Sequence, residues 1–199
     1  MGRIVLFARV TPDGYLGAPG GDLSWMKPDD ELDKAAMGKN PVFDTFVFGR
    51  KTYEMMASYW PNAIDESETA VDPHDTRRRT AETRAMGVAL NENRKLVFST
   101  GLKEATWKNT QLLRKLDPRQ IEALKREARA DMLVLGSGSI VSQLTEHGLL
   151  DEYQLVISPI LLGSGVPLLR DVTRRVPLEL LEARAFASGN VLLRYAPAK

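Results

Sequence analysis

Met132-Leu-Val-Leu-Gly-Ser-Gly-Ser-Ile140 compresses a strand, a tight turn and a helix start into nine residues. Four consecutive apolar residues without alternation read as a strand buried on both faces. Gly136 and Gly138 permit the turn and let backbone approach a ligand closely. The helix that follows points free amides and its positive dipole end at the turn, which suits an anion. The stretch is not the full dinucleotide fingerprint, because the sixth position is Val141 and no acidic residue ends a following strand. Alone, it fits a plain strand–helix turn as well as a phosphate loop.

Working outward, three more unbroken apolar runs occur, Ile4 to Val10, Thr45 to Phe48 and Leu96 to Phe98. Helical patterns alternate with them: Lys51 to Tyr59, Ala81 to Leu90, Pro118 to Ala130 and Ser139 to His147. Asp117 is placed as an N-cap with Pro118 at the first helical position. His147 caps its helix end and Gly148 follows as the left-handed residue. This alternation predicts an α/β fold with a mostly parallel sheet covered on both faces. The last third differs. Tyr153 to Ile157, Leu178 to Ala187 and Val191 to Tyr195 lie too close for crossover helices, and Ser188-Gly189-Asn190 reads as a hairpin turn. The sheet is therefore expected to finish with antiparallel strands. Residues 1–199 are expected to form one domain, with 61–80 as an insertion loop or lid. His74 in that insertion reads as a surface residue.

The chain has 199 residues, 27 basic and 26 acidic side chains, two His and no Cys. Balanced charge argues against a nucleic-acid binder, so Arg77-Arg78-Arg79 reads as a solvated face beside Glu66, Glu68, Asp72 and Asp75. No Cys and two His remove thiolate nucleophiles and nearly all metal sites, so no metal is expected. No apolar run reaches the ~20 residues of a membrane span. Met1 leads directly into a strand, so no signal peptide and a cytoplasmic location are expected.

Two further strand ends carry anion-compatible groups. Gly49-Arg-Lys-Thr52 sets two cations at a helix N-terminus, where they are locally unfavourable unless an anion is expected. Ser99-Thr100 ends the third run, at the strand edge where open α/β sheets bind ligands. Three such ends on one sheet edge suit a long, multiply charged ligand. A glycine-rich loop, Thr11-Pro-Asp-Gly-Tyr-Leu-Gly17, leaves the first strand. Beyond it, Gly20-Gly-Asp-Leu-Ser-Trp25 and Pro28-Asp-Asp-Glu31 deliver Trp25 and three carboxylates, which read equally as helix-start acids or as one proton-transferring group.

Taken in order, these segments resemble the dihydrofolate reductase-like superfamily, in the branch of the reductase domain of the riboflavin-biosynthesis deaminase-reductase. Lys95-Leu-Val-Phe-Ser-Thr100, Gly148-Leu-Leu-Asp-Glu-Tyr153 and Ser158-Pro-Ile-Leu-Leu-Gly-Ser-Gly165 extend the match across nearly the whole chain. The resemblance implies a three-layer sandwich and NADPH as cofactor. It places Gly49, Arg50, Lys51 and Thr52 along the cofactor, Arg50, Lys51, Ser99 and Thr100 near a 2′-phosphate, Gly136, Ser137, Gly138 and Ser139 at the pyrophosphate, and Ile140 also against the cofactor. Val10, Thr11, Leu16 and Gly17 would flank the nicotinamide. Trp25 and Asp30 would meet the substrate, with Asp30 assisting protonation. The substrate implied is a ribosylaminopyrimidine or a pterin-like molecule. An unrelated carbonyl or nitro compound and a non-catalytic nucleotide-binding module remain alternatives, because fold does not fix substrate. This sequence has no Cys for the zinc site of the deaminase half, so only the reductase half is expected. A homodimer through Tyr153 to Leu169, taken as a sheet edge, is also expected.

Overall fold

A computed structural model describes residues 1–37, 43–62, 71–72, 75–78 and 81–198. In chain order it forms β1 (Ile4–Val10), β2 (Tyr15–Gly17), α1 (Asp30–Met37), β3 (Phe43–Gly49), α2 (Arg50–Tyr59), β4 (Val71–Asp72) and β5 (Asp75–Arg78). There follow α3 (Ala81–Glu92), β6 (Arg94–Phe98), β7 (Thr110–Leu113), α4 (Pro118–Glu127), β8 (Asp131–Leu135) and α5 (Gly138–Glu146). The chain closes with β9 (Glu152–Ile157), β10 (Val166–Pro167), β11 (Leu178–Ala185) and β12 (Val191–Pro197).

Eight strands make one sheet in the order β11-β12-β9-β1-β8-β3-β6-β7. Every neighbouring pair from β9 through β7 is parallel, and β9–β12 and β12–β11 are antiparallel. The expected change from parallel to antiparallel therefore falls between β9 and β12. Side-chain alternation along β1 divides the interior. Ile4, Leu6, Ala8 and Val10 pack with Ile121 of α4 and with Ile140, Val141 and Leu144 of α5. Val5 turns to the other face with Phe46, Phe48, Tyr53 and Leu90, where α2 and α3 lie. Leu32 of α1 packs on that second side with Val156, Phe186 and Leu192. This is the α/β three-layer arrangement with helices on both faces.

Two expectations need correction. α4 stops at Glu127 rather than Ala130, because Ala128 turns extended and the amides of Arg129 and Ala130 donate to Asp44 Oδ2 at 2.9 and 3.1 Å. Tyr153 to Ile157 is not a sheet edge: β9 sits between β1 and β12, and the edges are β11 and β7. In the 61–80 insertion, β4 and β5 pair as a short antiparallel ribbon. The remainder of that segment from 63 to 80, including His74, lies outside the described residues. β7 and the β2–β10 pair escaped the sequence reading because runs of two to four residues carry too little periodicity. The Asp117 cap holds, its carboxylate accepting from Arg119 N at 3.0 Å.

The end of the sheet away from the glycine turns is tied by charge. Glu152 is 1% exposed and accepts from Arg3 Nη1 at 3.0 Å and Arg194 Nε at 2.8 Å. Burial alone would raise its pKa, but the hydrogen bonds from Arg194 and Gln154 and the charges of Arg194 and Arg3 hold it below its ordinary value. Lys95 is fully buried, donates to the Leu90 and Asn93 carbonyls at 2.5 and 2.8 Å, and closes the C-terminal end of α3. Burial pushes its pKa down to about 8.

A folded pKa below the unfolded one means that the Glu152 contribution is complete above the unfolded value and lost as pH falls through the folded one. Glu152→Gln is expected to cost about 2 kcal/mol at neutral pH, a charged hydrogen-bonding partner having been removed. Urea unfolding should show that deficit shrinking as the solution is acidified. A deficit independent of pH would contradict the charge account.

Candidate functional site

Parallel pairing in the order β1-β8-β3-β6 brings the C-terminal ends of four strands to one edge of the sheet. Those ends are Val10-Thr11, Gly136, Gly49 and Ser99, so the three anion-compatible strand ends and the end of β1 lie on that side. Gly136 N donates to Phe7 O at 3.2 Å, which joins β8 to β1.

The tightest link joins β8 to β3. Ser137 Oγ accepts from Gly49 N at 2.8 Å and donates to Thr52 Oγ1 at 2.6 Å. Ser137 is the N-cap residue of α5, yet its side chain makes no cap bond there. Gly136 and Ser137 are consecutively left-handed, with φ of +59° and +61°. That geometry is ordinary for glycine and costly for serine. A Cβ built on Gly49 would lie 3.1 Å from Ser137 Oγ and 3.3 Å from Ile140 Cγ1. A Cβ on Gly138 would lie 2.6 Å from the Pro167 carbonyl oxygen. A Cβ on Gly136 would meet nothing within 4 Å. Gly49 and Gly138 are therefore closed over by protein, and Gly136 borders open space. The first turns of α2 and α5 lie at the same edge, and in α5 the Ile140 amide already donates to Ser137 O at 2.8 Å.

Arg50 and Lys51 are exposed beside them, and Arg50 reaches Glu54 at 4.0 Å. Ser99 is buried, and its hydroxyl accepts the Leu102 amide at 2.9 Å. Thr100 is exposed. Buried Thr11 exchanges backbone and side-chain bonds with Tyr15, folding β2 back over the end of β1. Leu16 Cδ1 would lie 3.3 Å from a Cβ on Gly138, so β2 reaches the glycine turn of β8. Gly17 pairs with Val166.

The three carboxylates at the start of α1 separate by role. Asp29 caps α1 through Leu32 N at 3.0 Å, and its other oxygen accepts from Ser188 and from Asn190 Nδ2. Burial opposes ionisation of Asp29, but these donors and the nearby Arg9 charge hold its pKa below the ordinary carboxylate value. Glu31 pairs with Arg184 at 3.0 Å. Asp30 opens α1 and is exposed. The half-buried Trp25 places its indole Nε1 out of solvent with no hydrogen-bond partner among the described residues.

Two residues escaped the sequence reading. Arg9 Nη2 donates to Lys27 O at 2.9 Å and fastens the Trp25–Asp29 stretch to β1. Its signal was a lone charge inside an otherwise apolar strand. Asp13 accepts from the amides of Leu162 and Gly163 at 3.1 and 2.7 Å, pinning the C-terminal loop beside β2. Its signal was the acid within Thr11-Pro-Asp-Gly14.

The fold is that of dihydrofolate reductase. The dihydrofolate reductase of Enterococcus faecalis, complexed with NADP(H) and RAB-propyl, superposes with a TM-score of 0.62 at 13% identity, over 99% of this chain and 97% of that one. A putative riboflavin biosynthesis protein from Shewanella sp. PV-4 superposes at 0.70 with 19% identity, over the whole of both chains. Residues 3–192 match the RibD C-terminal domain, and the chain belongs to that family. The uncharacterized protein YyaP of Bacillus subtilis (strain 168) is 28% identical over 197 residues, covering 97% of this chain and 94% of YyaP. Among the described residues, no helix is long and apolar enough to cross a membrane.

Ser137→Ala leaves the half-buried Gly49 amide without its acceptor and is expected to cost about 1–2 kcal/mol. Gly49→Ala is expected to cost more, because its Cβ would press on both Ser137 Oγ and Ile140 Cγ1, at 3.1 and 3.3 Å. Denaturant midpoints of the two variants check the order. A neutral Gly49→Ala would contradict the close approach.

Proposed function

We propose that the chain is an NADPH-dependent reductase that transfers a hydride to a small ribosylaminopyrimidine or pterin-like molecule, with residues 1–199 acting as one cytoplasmic domain. Membership of the RibD C-terminal domain family supports a reductase of the riboflavin-biosynthesis type. The observation that carries the cofactor reading is the bonding of the Gly49 and Gly136 turns through Ser137 at the carboxyl edge of the sheet.

The donor set fits a dinucleotide. Open space beside Gly136, the two helix starts and the adjacent Arg50 and Lys51 suit a pyrophosphate and a further phosphate. Gly136, Ser137, Gly138, Ser139 and Ile140 hold the pyrophosphate in this reading. Gly49, Arg50, Lys51 and Thr52 run along the cofactor, and Ser99 and Thr100 complete the 2′-phosphate end. Val10, Thr11, Leu16 and Gly17 form the wall beside the nicotinamide. When bound, NADPH supplies the hydride. The chain orients the acceptor carbon, excludes water and supports arrival of a proton on the neighbouring heteroatom. Trp25 packs the substrate. Asp30, exposed at the start of α1, assists the proton in this reading.

Saturating NADPH is expected to raise the melting temperature by about 5 °C or more, and NADH by less. No shift with NADPH contradicts the reading, and a shift with ATP alone favours a non-catalytic nucleotide module. Arg50→Ala is expected to weaken NADPH about tenfold, from loss of one charged hydrogen bond, with little change for NADH. Turnover with the ribosylaminopyrimidine but not dihydrofolate assigns the riboflavin-type substrate. Asp30→Asn is expected to lower kcat and flatten its pH profile. Asp29→Asn should instead destabilise by about 1 kcal/mol, as loss of a helix cap does.

A further inference from the structure

Asn190 follows the turn between β11 and β12 and is 3% exposed. A buried side-chain amide needs partners for both its ends. Its Oδ1 accepts from Ser158 Oγ at 2.8 Å, and its Nδ2 donates to Asp29 Oδ2 and Ser188 Oγ, each at 3.0 Å. The orientation is forced, because an ionised carboxylate only accepts, so the amide nitrogen has to face Asp29.

Each end of this amide leads to one side of the proposed site. Ser158 is buried, and its backbone N donates to Val10 O at 2.9 Å, at the end of β1. Asp29 Oδ1 caps α1 through Leu32 N at 3.0 Å. A single buried amide therefore bridges the end of β1 and the start of α1, across 161 positions of sequence. Asp30 lies between two anchored neighbours. Asp29 is bonded to Asn190 and Ser188 of the β11–β12 turn, and Glu31 is bonded to Arg184 of β11 at 3.0 Å.

The other hold on α1 is weaker in direction. Leu32 packs with Val156, Phe186 and Leu192, and apolar contact of this kind fixes depth but not angle. The cap by Asp29 orders the first turn of α1 within itself, not against the sheet. Hydride transfer with protonation of the neighbouring atom demands more, because the groups supplying the two must keep a set separation. The Ser158–Asn190–Asp29 chain is directional and buried, and it links the β1 end directly to that first turn.

We infer that Asn190 is a positioning residue, fixing the start of α1, and with it Asp30, against the end of β1. The inference rests on the reading of Asp30 as the group that assists the proton.

Its test follows NADPH oxidation with whichever of the ribosylaminopyrimidine and dihydrofolate is turned over. Asn190→Asp sets a second carboxylate against Asp29, and kcat is expected to fall about tenfold with an unchanged circular dichroism spectrum. The gap should narrow on acidification, since one proton shared by the two carboxylates restores a bond between them. Asn190→Ala removes the bonds without adding charge, so its loss of kcat should not follow pH in this way. Asp29→Asn combined with Asn190→Asp exchanges the partners. The amide now at 29 donates to the carboxylate at 190 and keeps the cap through its oxygen, and kcat should return to within about twofold. Added to Asp30→Asn, Asn190→Asp should cost no further kcat, because it acts through Asp30. If Asp30→Asn is slow while Asn190→Asp and Asn190→Ala run at the full rate, or if the exchange does not recover kcat, the inference is overturned and the reductase reading stands. If Asp30→Asn itself runs at the full rate, or neither substrate is turned over, the underlying reading fails and the inference falls with it.

Discussion

Ser137 begins α5, yet its hydroxyl accepts the Gly49 amide and donates to Thr52. The bond spans 88 positions of sequence and joins the turns that follow β8 and β3. Much of the local structure follows from it. Ser137 takes a left-handed backbone to aim its side chain sideways, and α5 starts without a side-chain cap. A Cβ at residue 49 would crowd Ser137 Oγ and Ile140 Cγ1 at 3.1 and 3.3 Å. The two helix starts are then held at a fixed separation with their amides facing one region. A cofactor site made from two independent turns would have to order both on binding, and a site already bonded together avoids that cost.

A second layer holds this edge from outside. The Pro167 carbonyl lies against Gly138, Leu168 N donates to Gly14 O, and Arg170 N donates to Ser142 Oγ. Asp13 fixes the 162–163 turn, and Glu146 receives Thr173 and Arg174. The segment between β9 and β11 thus belts the end of β1, β2 and the first turns of α5. On the other side, Asp29 binds the β11–β12 hairpin through Ser188 and Asn190, so the C-terminal antiparallel strands also position the start of α1. The last third of the chain shapes both sides of the region assigned to cofactor and substrate.

How much of this was legible before folding depended on the length scale of each signal. The four apolar runs are long and uninterrupted, and β1, β3, β6 and β8 fall on them. The Ser188-Gly189-Asn190 turn was legible because a hairpin at that spacing needs a left-handed residue, and Gly189 has φ of +85°. The glycine turns could be placed at strand ends, but not bonded to one another, since nothing local in Gly136-Ser-Gly-Ser139 announces that Ser137 turns toward residue 49. Asp29 and Glu31 looked like helix-start acids, and their actual partners, Asn190 and Arg184, are more than 150 residues away. β9 looked like an edge because its apolar content is high. Its place inside the sheet depends on β12 pairing back onto it, a non-local choice that residue periodicity does not encode.

The central claim is that the joined turns form one dinucleotide site. A crystal structure with NADPH bound tests this most directly. The account predicts the pyrophosphate against the Gly136–Ser139 backbone, the 2′-phosphate within hydrogen-bonding distance of Arg50, and the Ser137 bonds to Gly49 and Thr52 intact. A cofactor bound elsewhere on the chain, or one that separates the two turns, would contradict it.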